Sequence, residues 1–459
     1  VSDDRGFQDR GRTHVLMITN HGVHEWAVVP GLPDTGGQNV YVNQFTEALV
    51  AQGYRVTIVN RGGYPHPTTG VPQVGVRFHP SGHARILYLE DGLAEFVRKE
   101  DMAARIPALA EDLEAKLAAD DDSYDLIISH YWDAGVLGAT VNDRAARRVP
   151  HVWVPHSLGA LKKRNMDPST WAGLRIDERI AHERELLTHV DGAVATSTAI
   201  RDTFVADYGY RPKYFLPPCV DVERYRPRDD GECAGIWEFL AAHATPSAEE
   251  LRHRPIVTEI SRTDRTKRKD VLIRAFAEAR RQVPELFLVV ALDQRSGEPY
   301  REAMALIDDL GIGDDVAPLG SVWEQLPCLY AATSVYCTPS VMEGFGMSAQ
   351  EAAATAKPVI SSDLVPFATE YLAGASPQRV PIDGEQGREL LVGEGAVVVP
   401  ADDVAGFAQA MSLLLGDGDL RTTMGARALD ITVPYFTWER RTRDLLDDLG
   451  VSPRHGGAS

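Results

Sequence analysis

Through most of the chain, short apolar runs alternate with longer stretches whose apolar residues recur at helical spacing. HVLMITN (14–20) has the length and composition of a buried strand, and after a glycine-rich loop GQNVYVNQFTEALVAQG predicts a helix closed by glycine. RVTIVN, YDLIISH, HVWVPH, GAVATS and KYFLPP continue the strand series, with helical segments such as RIPALAEDLEAKLAA between some of them. The regularity lapses after LPPCVDVERYRP, in a charged, proline-containing stretch that runs to about His253. PIVTEIS then opens a second series: the helix DVLIRAFAEARRQV, the strands LFLVVAL and SVYCTPS, a helix after Gly346, and the strands PVIS and AVVVP. FTWERRTRDLLDDLG predicts a last helix, and SPRHGGAS a frayed tail. Such alternation implies parallel sheets covered on both faces. The fold class is therefore α/β, with two Rossmann-like domains over residues 1–225 and 255–432. Residues 226–254 are expected to be a linker or insertion, and 433–459 a terminal helix, packing back on the first domain, and tail.

Composition narrows the class. At 459 residues the chain is too long for one core, and 44% hydrophobic with 25% charged residues is ordinary for a soluble globular protein. No apolar run approaches the roughly 20 residues of a membrane span, and the opening VSDDRGFQDRGRTH is polar, so a cytoplasmic location is expected. The four cysteines, Cys219, Cys233, Cys328 and Cys337, show no CxxC spacing, and none is read as a disulfide or metal ligand. A net charge of -19 argues against nucleic acid and against stable docking on anionic membranes. An anionic substrate would need a local basic cluster. Nothing in the sequence bears on oligomeric state.

In open parallel sheets ligands bind beyond the carboxyl ends of strands, and several loops there are unusual. DTGGQN places Gly36 and Gly37 before a helix, where bare amides suit an anion, although paired glycines also make an ordinary turn. RTDRTKRKD crowds Arg262, Arg265, Lys267, Arg268 and Lys269 ahead of a helix. That set is a candidate diphosphate clamp, against the plainer reading of a solvated loop. SHYWDAG and PHSLGALKKR end two strands of the first half; His156 is either a structural histidine or a catalyst, and Lys162, Lys163 and Arg164 either a solvated helix start or a seat for a phosphorylated acceptor. The acidic runs at 120–122, 308–309 and 314–315 read as surface charge rather than a DxD metal site. GxGxxG, GxSxG and GxxxxGK[ST] are absent, which removes nicotinamide-dependent, serine hydrolase and P-loop readings. In EGFGMSAQE, Glu343 and Glu351 flank two glycines, with one carboxylate before the helix start and the other more than a turn inside it.

EGFGMSAQE carries the E-x7-E pattern of retaining GT-B glycosyltransferases of family 4, and Arg262 and Lys267 have the spacing of that family's cation pair. The resemblance spans nearly the whole chain, through GGQNVYV, HYWDAG, HSLGALK, ERIAHERELL, LPPCVDVERY, SRTDRTKRKD and FGMSAQEAAA in the family's order. It is strongest to the sucrose-phosphate synthase and mannosylfructose-phosphate synthase branch. The resemblance implies two Rossmann-like domains facing each other across a cleft and a nucleoside diphosphate sugar as donor. No cofactor is required, with Mg2+ at most a non-essential addition. It implies that Arg262 and Lys267 hold the diphosphate, Glu343 contacts sugar hydroxyls, and the amides of Phe345, Gly346 and Met347 approach sugar and phosphate. Glu351 would take the ribose, Gly36 and Gly37 the phosphates, and His156 the sugar near its C6 hydroxyl. Lys162, Arg179 and Asp133 are the implied acceptor-binding residues.

The expected reaction is hexosyl transfer from UDP-glucose to a sugar phosphate such as fructose 6-phosphate, by same-face substitution without a covalent intermediate. The alternatives are GDP-mannose or another donor, a non-phosphorylated, lipid or polymer acceptor, or a non-catalytic sugar-nucleotide-binding module. Three departures from the branch stand out: Cys219 and Ala356 replace its usual glycines, and residues 228–254 have no counterpart in simple members.

Overall fold

The computed structural model describes residues 7, 10–28, 32, 34–320, 322–384 and 387–454. They form two compact units. The first comprises the described chain up to Pro218 together with the chain from Trp438 onward, and the second is Cys219–Thr437.

The first unit holds β1 (His14–Ile18), β2 (Arg55–Arg61), β3 (Val76–Phe78), β4 (Ala84–Leu89), β5 (Leu126–His130), β6 (His151–Val154), β7 (Gly192–Ala195) and β8 (Tyr214–Phe215). They lie in the order β3-β4-β2-β1-β5-β6-β7-β8, all parallel except β3. Every residue of β1, β2, β4 and β5 is buried, because helices cover both sheet faces. The chain builds outward from β1 through β2 and later returns to add β5 on its other side, so the direction of winding switches between β1 and β5.

The second unit holds β9 (Ile256–Glu259), β10 (Phe287–Ala291), β11 (Val316–Leu319), β12 (Val335–Thr338), β13 (Val359–Ser362), β14 (Gln378–Pro381), β15 (Glu389–Val392) and β16 (Ala396–Val399). Their order is β11-β10-β9-β12-β13-β16-β15-β14, with an antiparallel edge at β14 and β15. Here the winding reverses between β9 and β12.

Residues 226–254, expected as a linker, belong to the second unit's core. Helices Ile236–Ala241 and Ala248–Arg252 bury Ile236, Trp237, Leu240 and Leu251 against the cluster that includes Tyr330 and Tyr336. The expectation of no disulfide is also corrected: Cys233 is bonded to Cys328, 95 residues away, while Cys219 and Cys337 are buried and not disulfide-bonded. A pair so distant leaves no spacing pattern to read.

Helix Trp438–Leu449 lies in the first unit, where Trp438 stacks on Phe45 at 5.7 Å and donates to Gln44. The tail is pinned rather than frayed as far as Arg454: Tyr54 donates to the Val451 carbonyl, and Arg454 N–H to Thr13 Oγ1. Residues 455–459 lie outside the described residues. Nor is all the acidic run at 120–122 surface charge. Asp122 is enclosed between Arg55, at 2.6 Å, and Arg85, at 3.2 Å, on the neighbouring strand ends.

Ala356 ends helix Met347–Ala354 at a φ of 59°. Its N–H bonds to the Ala353 carbonyl and that of Lys357 to Ala352, a closure that favours glycine at the left-handed position. Ala356→Gly should therefore raise unfolding stability, by about 1 kcal/mol or less after the unfolded chain's added freedom is counted, as read from urea unfolding.

Candidate active site

The two switch points collect most of the residues singled out in the sequence, one cluster in each unit. In the second unit the loop after β9 meets the loop after β12, tied by Val341 N–H to the Thr266 carbonyl at 2.9 Å. The Asp264 carboxylate caps the one-turn helix Arg265–Lys267 by accepting from Thr266 N–H, and so aims Lys267 inward. Lys267, 6% exposed, places Nζ 2.6 Å from Glu343 Oε1 and 3.3 Å from the Met342 carbonyl.

The five cations of this loop have separate fates. Arg265 is drawn aside by Glu298 and Glu302, each at 2.8 Å, and Arg268 pairs with Asp270 and Asp402. Lys269 is buried against Glu259. Arg262 is the most exposed of the five, with an 82% exposed side chain and, among the described residues, Asp264 as its ion-pair partner at 3.3 Å. Arg262 and Lys267, the pair that the family's spacing marks in the sequence, thus meet carboxylates of the two loops at the switch point, Asp264 and Glu343.

Phe345 is buried between Phe367 and Phe436, with ring centroids at 5.4 and 5.8 Å. Gly346 has a φ of 108°, and a Cβ there would meet Val365 Cγ1 at 2.6 Å, so only glycine fits. It opens helix Met347–Ala354, whose N-terminus carries no side-chain cap, leaving the Met347 end with the partial positive charge that attracts an anion. Glu351 stands deeper in this helix, where it accepts from Tyr330 Oη at 3.0 Å. Burial pushes its pKa up to about 7, against the opposing pull of the Tyr330 hydrogen bond, Arg224 and Tyr225. Glu343 and Glu351 therefore have different partners and different electrostatics.

In the first unit, Asn20 and His21 follow β1, His130 ends β5 and Tyr131 follows it. His21 Nδ1 lies 3.0 Å from Asp133 Oδ1, and Asp133 is fully buried, with Oδ2 unpaired. His130 and His156 are stacked, with Nδ1 of the first 2.9 Å from Nε2 of the second. Burial, with His21 nearby, pushes His156 down to about 3, and burial and His156 push His130 well below the ordinary value. Both rings are neutral at physiological pH, so His156 is suited to hydrogen bonding and not to acting as an acid. His156 at φ 54° and Tyr131 at φ 79° are held in backbone conformations that side-chain-bearing residues rarely adopt, a feature that concentrates at functional sites. Gly36 and the exposed Gly37 start helix Gly37–Ala51; the Gly36 N–H is already bonded to Asn39 Oδ1 at 2.9 Å.

A depression of mixed charge lies in the same unit, lined by Lys99, Lys162, Arg175, Arg179, Glu100 and Glu178 among others, with Lys99 paired to Asp34 and Glu100 and Arg175 to Asp101 and Glu178. Burial and the charges of Arg179 and Lys99 push Lys162 down to about 8. Arg179 is largely committed: it donates to Glu183 at 2.7 Å, to Tyr131 Oη, and to the Ser157 carbonyl and Oγ. Lys99 and Arg175 were not singled out in the sequence, since FVRKED and GLRIDE carry no pattern; only folding brings them to Lys162. Among the described residues, no three His, Cys, Asp or Glu side chains are grouped as a metal site would need.

The family described as Glycosyl transferases group 1 matches residues 246–430, and Glycosyl transferase 4-like domain matches residues 36–218. The D-inositol 3-phosphate glycosyltransferase of Kineococcus radiotolerans is 30% identical over 450 residues, covering 93% of this chain and 95% of the relative. The chain belongs to the group 1 glycosyltransferases. Mannosylfructose-phosphate synthase of Agrobacterium fabrum is 29% identical over 361 residues, 75% of each protein. Sucrose-phosphate synthase from Thermosynechococcus elongatus superposes with a TM-score of 0.74 at 26% identity, over 95% of this chain and 98% of that one. The protein is thus a GT-B enzyme that transfers a sugar, as the motifs implied.

The histidine pair can be checked directly in this glycosyltransferase. Nitrogen-15 NMR of the imidazoles should show His130 and His156 neutral from pH 8 down to pH 5; a ring titrating near its ordinary value of about 6.5 would contradict the enclosed arrangement.

Proposed function

We propose that the protein is a retaining hexosyltransferase that moves a sugar from a nucleoside diphosphate donor, UDP-glucose favoured, to a small phosphorylated sugar or polyol such as fructose 6-phosphate. The observation that carries the donor half is the buried Lys267–Glu343 pair beside exposed Arg262 and an uncapped helix N-terminus. Two cations and a helix dipole suit a diphosphate whose charge grows as its bond to the sugar breaks. Arg262 offers a flat fork for two oxygens and Lys267 a point charge, together taking the place a metal ion would have. With Glu343 already engaged by Lys267, the reading is a same-face substitution in which a departing phosphate oxygen accepts the acceptor hydroxyl's proton. Neutral His156 supplies a hydrogen bond to the sugar.

The acceptor half rests on Lys162, set among Lys99, Arg175 and Arg179 in one depression of a chain of net charge -19, although Lys99 is engaged by Asp34 and Glu100. The names of the relatives point the same way: mannosylfructose-phosphate, D-inositol 3-phosphate and sucrose-phosphate each carry a phosphate. D-inositol 3-phosphate is the second acceptor to test.

The deciding experiment measures nucleoside diphosphate release from UDP-, GDP- and ADP-sugars, each with fructose 6-phosphate, D-inositol 3-phosphate and their unphosphorylated forms. Consumption of a donor only with a phosphorylated partner is the expected result; no turnover in any pairing would overturn the reading. Lys267→Ala should lower kcat by about 10²–10³-fold, the scale of losing one preorganised charge. EDTA should leave turnover unchanged.

The acceptor's pH dependence follows from two signs. A sugar phosphate is a dianion above about pH 6, and Lys162, its pKa lowered, keeps its charge only below about 8. Acceptor KM should therefore be lowest between these limits and rise above pH 8, and Lys162→Ala should remove that alkaline rise.

A further inference from the structure

Residues 228–254 and the disulfide have no part in the function derived so far, yet both lead to Glu351. Helix Leu326–Ala332 carries half-buried Cys328 and, two residues on, Tyr330, which is fully buried and donates to Glu351. The other wall of Glu351 comes from the chain entering the 228–254 segment. Tyr225 packs edge-on to Tyr330 at 5.9 Å, and Arg224 lies 3.3 Å from the Tyr225 hydroxyl and 4.4 Å over the Trp323 ring. Cys233 follows eight residues after Tyr225 and is bonded to Cys328, with 5.2 Å between their Cα atoms. The disulfide thus staples together the two segments that supply the groups facing Glu351, namely Tyr330, Tyr225 and Arg224.

We propose that Tyr330, held by the Cys233–Cys328 disulfide, positions the Glu351 carboxylate for the donor's ribose, so that donor affinity falls when a dithiol reduces the bond. This rests on the reading of Glu351 as a donor-binding carboxylate. In the reduction the dithiol delivers two electrons and two protons: the S–S bond breaks, Cys233 and Cys328 become thiols, and the dithiol closes to its own disulfide. Cys328 is partly exposed and so open to attack, whereas Cys219 and Cys337, which are not disulfide-bonded, are buried. Once the staple is cut, helix Leu326–Ala332 keeps its apolar packing through Leu326 and Leu329 and the bond from Lys357 Nζ to the Ala331 carbonyl, so the unit stays folded while the Tyr330 hydroxyl gains freedom. Glu351 then takes two ribose hydroxyls from a less ordered start. Tyr330 is a positioning residue, acting through Glu351.

The test is calorimetric binding of UDP, with donor KM and kcat, on the intact protein before and after dithiothreitol. Reduction should raise the UDP Kd and donor KM about five- to tenfold while kcat changes less than twofold, and reoxidation should restore both. Cys328→Ser should match the reduced protein and ignore dithiothreitol; should it fail to fold, wild-type reduction monitored by circular dichroism carries the test alone. Tyr330→Phe should raise the UDP Kd and move the acidic limb of UDP binding to higher pH, because the lost hydrogen bond no longer favours the carboxylate; a merely space-filling tyrosine would leave the limb in place. Equal UDP affinity in oxidised and reduced protein, with thiols counted under denaturing conditions at two and then four, would overturn the proposal. Glu351→Gln separates the two ideas: wild-type UDP affinity in that variant would remove the ribose reading itself, whatever the disulfide does.

Discussion

A buried ammonium must be met by a counter-charge, and much of the second unit is arranged around that requirement at Lys267. Glu343 supplies that counter-charge, and it cannot reach the lysine unless the loops after β9 and β12 are held side by side. The reversal of winding between β9 and β12 supplies that proximity, because no helix crosses between the two strand ends. Breaking the pair from either side leaves an uncompensated charge, while a diphosphate entering beside Arg262 offers Lys267 a second anion. The pair is therefore both a structural tie and a charge reserve for the proposed donor.

The first unit solves a different problem at its own switch point. It keeps imidazoles neutral by enclosing them, His130 against His156, and tethers His21 to a buried aspartate. Beside them it encloses Lys162, whose pKa is lowered first by burial and then by the charges of Arg179 and Lys99, in a protein whose overall charge is strongly negative. Uncharged rings suit contacts to a neutral sugar, and crowded cations suit a phosphate. Both features come from burial rather than from residue type.

Much of this was legible beforehand. Apolar runs buried on both faces announced parallel strands, and the glycines of EGFGM announced an unusual backbone, which at Gly346 takes a positive φ. The linker reading of 226–254 was misled by charge: Ile236, Trp237, Leu240 and Leu251 are spread through a polar stretch, and only contact with a distant helix reveals them as core. The pairing of Cys233 with Cys328 and the burial of Asp122 escaped for the same reason, since each partner lies far along the chain.

The sequence by itself determined the alternation of elements, the existence of two sheets and the family motifs, because these are set by local periodicity and by short runs of residues. Which of five crowded cations faces Glu343, which lysines share the depression with Lys162, and why Glu351 titrates near neutrality were decided only by tertiary structure. Charge and burial depend on what stands within a few ångströms, and those neighbours arrive from strands and helices that the chain visits far apart.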